Sequence, residues 1–165
     1  MIAMALLVPL ALAAQKSPVD KLFDKYANQK GFTTVNISGK LLGFAGKLDK
    51  SNPENSKMLA NLTGIRILST EDENKPEGID FYKELEDGGF FRNNKYESLM
   101  DVTESDQVVR FYAQDAGDGK FSELLLIVGG EENALISIRG LIDPENIGKI
   151  TGALDIEVDI DKVTK

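Results

Sequence analysis

The chain has 165 residues, 27 acidic and 19 basic side chains, a formal net charge of −8, and no cysteine, histidine or tryptophan. That length suits one domain with its own core, since domains run from ~50 to ~250 residues. The missing residue types exclude disulfides, thiol nucleophiles, thiolate zinc sites, Ser-His-Asp triads and histidine-held haem, and the acidic balance argues against a nucleic-acid partner.

Residues 1–14 read MIAMALLVPLALAA, an uncharged apolar run of signal-peptide length and too short for a comfortable membrane span of ~20 residues. Ala11-Leu12-Ala13 offers the small-x-small pattern that signal peptidase reads, which predicts cleavage after Ala13 or Ala14. The first positive charge, Lys16, follows the run instead of preceding it, as an unusual n-region or a start lying upstream would explain. The competing reading is a buried amino-terminal helix or strand. With no cysteine to carry a lipid, the expectation is a periplasmic or secreted protein with no stable membrane anchor after cleavage.

Ser17-Pro18 predicts an N-cap and first helical residue, and Val19, Leu22, Phe23, Tyr26 and Ala27 then keep helical spacing up to Gly31. Phe32–Ile37 is short and β-branched, hence a strand. A second helical stretch from Ser38 carries Leu41, Leu42, Phe44, Ala45 and Leu48, with Gly43 and Gly46 as places where another backbone packs closely. Asn52-Pro53 breaks the chain before a short helix over 54–62, and Ile65–Leu68 reads as a second strand. The acidic run Glu71–Asn74 is a solvated loop. Ile79, Phe81, Tyr82 and Leu85 form the next amphipathic helix, stopped by Gly88-Gly89.

Thereafter the period changes. Tyr96–Thr103, Val108–Gln114, Phe121–Val128 and Ala134–Ile142 are four candidate strands, with turns at 115–120 and 129–133 that suit hairpins of more than two loop residues. Leu124–Val128 is apolar on both faces and so predicts a central, covered strand. Asp143-Pro144-Glu145 restarts a short helix through Ile150, and Leu154–Val163 alternates as an acidic tail or an extra strand. The fold expected is α+β: a single domain over 15–165, with an antiparallel sheet of about five to seven strands and helices packed on one face, 151–165 being the tail.

Two stretches carry a resemblance: Gly31–Ser38 following an amphipathic helix, and Ser122–Gly130 preceding Leu135–Asp143. With the length and layout, they resemble an exported bacterial family of Bacteroidetes type catalogued as domain of unknown function 4252, over roughly 19–150. The resemblance implies an exported α+β domain of a Gram-negative envelope and brings no catalytic residues with it.

Among chemical constellations, Glu84 with Asp87 and Asp115 with Asp118 would serve as acid–base pairs only if burial split their pKa values, and all four lie in segments expected to be exposed. Ser38-Gly39-Lys40 contains the residue types of a Ser–Lys nucleophile without the spacing of one. Gly39-Lys40 and Gly46-Lys47 lack the glycine five positions earlier and the following Ser or Thr of a P-loop. The turn at 115–120 superficially resembles a calcium loop but reads as a hairpin turn, and Asp155, Glu157, Asp159 and Asp161 read as a solvated face. Asn36-Ile37-Ser38 and Asn61-Leu62-Thr63 match glycosylation sequons.

Charge is uneven along the chain: residues 15–60 hold eight Lys against four acids, and residues 61–165 hold 11 basic against 23 acidic side chains. Either the molecule is electrically lopsided, or the two segments interleave in space. The functional expectation is a non-catalytic binding or interaction module of the bacterial envelope, without metal or cofactor, whose partner is an unknown protein or small ligand. Such a module predicts an exposed apolar or charged patch and no deep polar pocket. The alternatives are a carboxylate-dependent hydrolase of glycan or cell-wall material, which requires two acids converging in one cleft, and a carrier of a small apolar ligand, which requires an apolar cavity.

Overall fold

A computed structural model of the chain describes residues 16–48, 52–71, 76–93, 95–103, 105, 107–130 and 133–153. The expected signal peptide at 1–14 and the alternating tail at 154–163 lie outside these residues. Positions 151–153, read from the sequence as the start of the tail, instead close a helix.

Six strands form one antiparallel sheet: β1 (Phe32–Ser38), β2 (Leu62–Thr70), β3 (Tyr96–Thr103), β4 (Gln107–Gly117), β5 (Lys120–Gly130) and β6 (Ala134–Ile142), in the order β1-β2-β6-β5-β4-β3. The last four strands run as a meander, and β6 then pairs with β2, which pairs with β1. The α+β class, the antiparallel pairing and the strand count agree with the sequence. Leu124–Val128 lies in β5, one of the two central strands, as its two-sided apolar character demands.

That same two-sidedness divides the helices between both faces, where the sequence reading places them all on one. Successive side chains of a strand point to opposite faces. Leu125 and Ile127 therefore join Leu68 and Leu135 beneath α1 (Pro18–Tyr26), α4 (Phe81–Asp87) and the 3-10 turn Phe90–Asn93. Leu124 and Leu126 join Ile65, Phe111 and Ile138 on the opposite face. There Leu42 of α2 (Gly39–Leu48), Met58 and Leu59 of α3 (Pro53–Asn61) and Ile150 of α5 (Ile147–Ala153) pack onto them. Neither apolar face of a central strand can be left to water, so each acquires its own cover.

Local signals in the sequence set the element ends. Ser17 caps α1 by accepting the Asp20 N–H at 3.0 Å, with Pro18 at the first helical position. The helix stops at Tyr26, short of Gly31, because Asn28 and Gly31 take positive φ in the turn that follows. The β4–β5 loop is tighter than the sequence reading has it. Gly117 pairs with Lys120, leaving only Asp118 and Gly119, with φ of 55° and 68°, in the two-residue geometry that Asp-Gly favours.

Helix α2 rests on α3 by backbone approach. A Cβ at Gly46 would stand 2.8 Å from the Ser56 carbonyl oxygen, whereas Gly43 has nothing within 4 Å, so only one of the two expected close contacts forms. Its outward side carries Leu41, Phe44 and Leu48, all more than half exposed. No helix of the described residues is long and apolar enough to cross a membrane.

Candidate functional site: an arginine-centred cleft beneath α1

The face of the sheet under α1 is apolar along only part of its length. Toward the other end, four polar side chains stand side by side across four strands: Tyr96 pairs with Gln114, Gln114 with Glu123, and Glu123 with Arg139. The first turn of α1 hangs over this row with Ser17 and Asp20. Together they border a cleft of about 570 Å³, whose lining also includes Lys21, Lys95 and Ser122. A second hollow of about 290 Å³ lies on the far side of Arg139, beside Asn36, Arg66 and Ser137.

Arg139 joins two carboxylates. Its Nε donates to Glu123 Oε1 at 3.1 Å and its Nη1 lies 3.0 Å from Asp20 Oδ1. Arg66 reaches the same Asp20 oxygen at 2.8 Å, donates to Asn36 Oδ1 at 3.1 Å and lies over the Phe23 ring at 4.0 Å. The Glu123 side chain is 5% exposed and also accepts hydrogen bonds from Ser137 Oγ at 2.5 Å and the Tyr96 hydroxyl at 2.6 Å. Ser17 Oγ donates to Asp20 Oδ2 at 2.9 Å. A buried carboxylate needs such compensation, because losing water costs several kcal/mol unless charge and hydrogen bonds replace it.

The consequence is an uneven inventory. Every carboxylate oxygen in the cleft already accepts a hydrogen bond from within the protein. Donors remain: the side chains of Lys21, Lys95 and Gln114 make no hydrogen bond or ion pair among the described residues.

Protonation follows from these partners. Burial pushes the Asp20 carboxyl up, but hydrogen bonds from Arg139 and Ser17 and the charges of both arginines outweigh it, and the group sits below its ordinary value. Its contribution to stability is complete above the unfolded value of about 3.9 and is lost as pH falls through the lower folded one. Burial, then the charge of Glu123 and the hydrogen bond to it, push the Tyr96 phenol far up. A raised phenol favours the neutral form, so this contribution is complete below about pH 10 and is lost as pH rises further. The urea midpoint is therefore expected to be flat from about pH 5 to 9 and to fall on both sides. Tyr26 and Tyr112 are raised mainly by burial, so Tyr96→Phe should shrink the alkaline fall without abolishing it. An alkaline limb unchanged in that variant contradicts the assignment.

The pairs singled out from sequence lie elsewhere. Glu84 binds Lys25 at 2.6 Å and accepts from the Tyr26 hydroxyl, tying α4 to α1, while Asp87 is exposed at the end of α4. Asp115 accepts the Gly117 N–H at 3.0 Å beside Asp118 in the exposed hairpin turn. Ser38 Oγ accepts the Leu41 N–H at 3.3 Å at the start of α2, and Lys40 is exposed. Asn36 holds Arg66 from the edge strand. Among the described residues no group of three or more Asp or Glu is placed to hold a metal ion. The two charge segments interleave: Asp20 with Arg66 and Arg139, Lys25 with Glu84 and Glu54 with Lys149 all join the first third of the chain to the remainder.

The residues that build the cleft floor were not singled out from sequence, although a signal existed. Glu123 and Arg139 of that floor, and Arg66 beside it, are charges set among apolar residues of inner strands, where an exposed surface offers no explanation for them.

Residues 26–150 match the model of a family described as Domain of unknown function (DUF4252). No curated protein and no solved structure matches the chain.

Proposed function

The chain belongs to the domain of unknown function 4252 family, and from that membership and the cleft together we propose an exported binding module of the bacterial envelope that holds a ligand without transforming it. One observation carries this reading: the two carboxylates of the cleft, Asp20 and Glu123, are bridged by one arginine. A glycan-cleaving carboxylate pair needs one member protonated and free to give its proton to the leaving group. Here the environment of Asp20 works in the opposite direction, and both Glu123 oxygens are occupied. The volume falls within the ~300–1,000 Å³ usual for small-molecule sites, and its charged lining suits a polar ligand better than an apolar one.

The test is a screen of small polar metabolites and envelope saccharides, read first by thermal unfolding and then by analysis of the recovered compound. A ligand at a hundred times its Kd stabilises by about 2.7 kcal/mol, a rise in Tm on the order of 5–10 °C for a chain of this length. The expected result is such a rise with the compound recovered unchanged. Conversion of a compound that Glu123→Gln or Asp20→Asn abolishes would overturn the reading in favour of a hydrolase.

A further inference from the structure

We propose that the cleft selects a small hydroxylated organic anion, the chemical class of acidic sugars; this rests on the binding reading above and specifies its ligand. The starting point is the inventory of unused groups. The carboxylate acceptors inside the cleft are spent: Asp20 on Ser17, Arg66 and Arg139, and Glu123 on Tyr96, Ser137 and Arg139. What the lining offers an incoming molecule is mostly donors, namely two ammonium groups, which only donate, and the Gln114 amide, which donates through its NH2 and accepts through its oxygen. A ligand must therefore bring acceptors, and charge adds to the match. Counting the lining residues, Lys16, Lys21, Lys95 and Arg139 oppose Asp20 and Glu123, so the cleft is positive in a chain whose net charge is −8. Of these cations, Lys16 is held by Asp24 at 2.6 Å and Arg139 by the two acids, which among the described residues leaves Lys21 and Lys95 for a ligand.

Position strengthens the point. Lys21 belongs to α1 and Lys95 immediately precedes β3, so these two charges come from separate elements, while Gln114 belongs to β4 on the floor. An anion held between two lysines from separate elements makes charge-assisted bonds to both, stronger than neutral ones. The volume of about 570 Å³ exceeds what one inorganic oxyanion fills, and the Gln114 amide gives the remainder of a larger molecule a polar contact, as a sugar hydroxyl requires. The ligand thus combines an anionic group for the lysines with hydroxyls, which can both accept from and donate to the Gln114 amide.

Three probes separate these demands by titration calorimetry on the intact chain: glucuronate carries charge and hydroxyls, glucose only hydroxyls, and inorganic phosphate only charge. Glucuronate is expected to bind at least tenfold more tightly than either of the others, and to weaken as salt is raised, because the lysines are exposed to screening. The double variant Lys21→Ala/Lys95→Ala should lose about tenfold in glucuronate affinity. Both side chains are exposed and have no partner among the described residues, so its urea midpoint should match that of the parent. Equal affinity for glucose and glucuronate overturns the charge argument and leaves the binding module standing. Phosphate binding as tightly as glucuronate overturns the acidic-sugar assignment, as does an undiminished affinity in the double variant. Failure of all three probes overturns this inference, whereas the binding-module reading falls only when the wider screen also finds no ligand.

Discussion

Arg139→Met is expected to lower stability by about 2–3 kcal/mol, read as a reduced urea midpoint with an unchanged slope. The loss comes from the partner left behind. Glu123 is 5% exposed, and without Arg139 its charge keeps only the hydroxyls of Ser137 and Tyr96. Breaking a fully buried pair costs about 3–5 kcal/mol. Arg139 is one-third exposed, so water offsets part of that cost, and Asp20 still has Arg66. The informative variant is the second one. If the cost is an orphaned charge, Glu123→Leu added to Arg139→Met should recover part of the lost stability, since it removes the buried charge and leaves only the neutral hydroxyls of Ser137 and Tyr96 without their acceptor. A double variant no more stable than the single one means that the arginine contributes by packing and not by pairing.

Gly140→Ala is expected to cost about 3 kcal/mol or more, with lowered expression as the first symptom. Its φ of +152° is one that side-chain-bearing residues rarely adopt, and the added Cβ would meet the Asn61 carbonyl oxygen and lie 2.6 Å from the Leu62 Cα. Both obstacles are backbone atoms, at the register shift where β6 passes β2, so no side chain can turn aside to relieve them. Gly43→Ala is the control. Gly43 lies inside α2 with open space around it, and the exchange should stabilise by about 0.5–1 kcal/mol. A Gly140→Ala protein as stable as the parent would contradict the close approach of β2 and β6.

The contrast between these glycines explains what could be read from the sequence. Gly43 and Gly46 both interrupt the apolar residues of α2, and nothing in the sequence says that only Gly46 meets another backbone. That depends on where α3 packs against α2, and not on either glycine. The strands were legible because alternation and β-branching are local: β3 and β6 match their expected limits to the residue. The distribution of helices was not read correctly, although Leu124–Val128 already implied cover on both faces. A strand apolar on two sides needs two layers, and the concentration of helices early in the chain obscured that requirement.

The cleft was the least legible part. Its floor draws one residue from each of four strands, and registers two residues away would place different side chains in the row. Glu123 is the residue from which it could have been inferred, a charge at the head of the chain's most apolar strand. The expectation of a module without a deep polar pocket arose from overlooking it. Conversely, the exposed apolar residues expected of an interaction module are present as Leu41, Phe44 and Leu48 on α2.

The most direct test of the cleft as the binding site is two-dimensional 15N–1H NMR of the intact chain titrated with sodium glucuronate. The account predicts saturable shifts confined to the amides of Ser17, Lys21, Lys95, Tyr96, Gln114 and Ser122, which surround the cleft. Saturable shifts centred on α2, with the cleft amides unmoved, would contradict it.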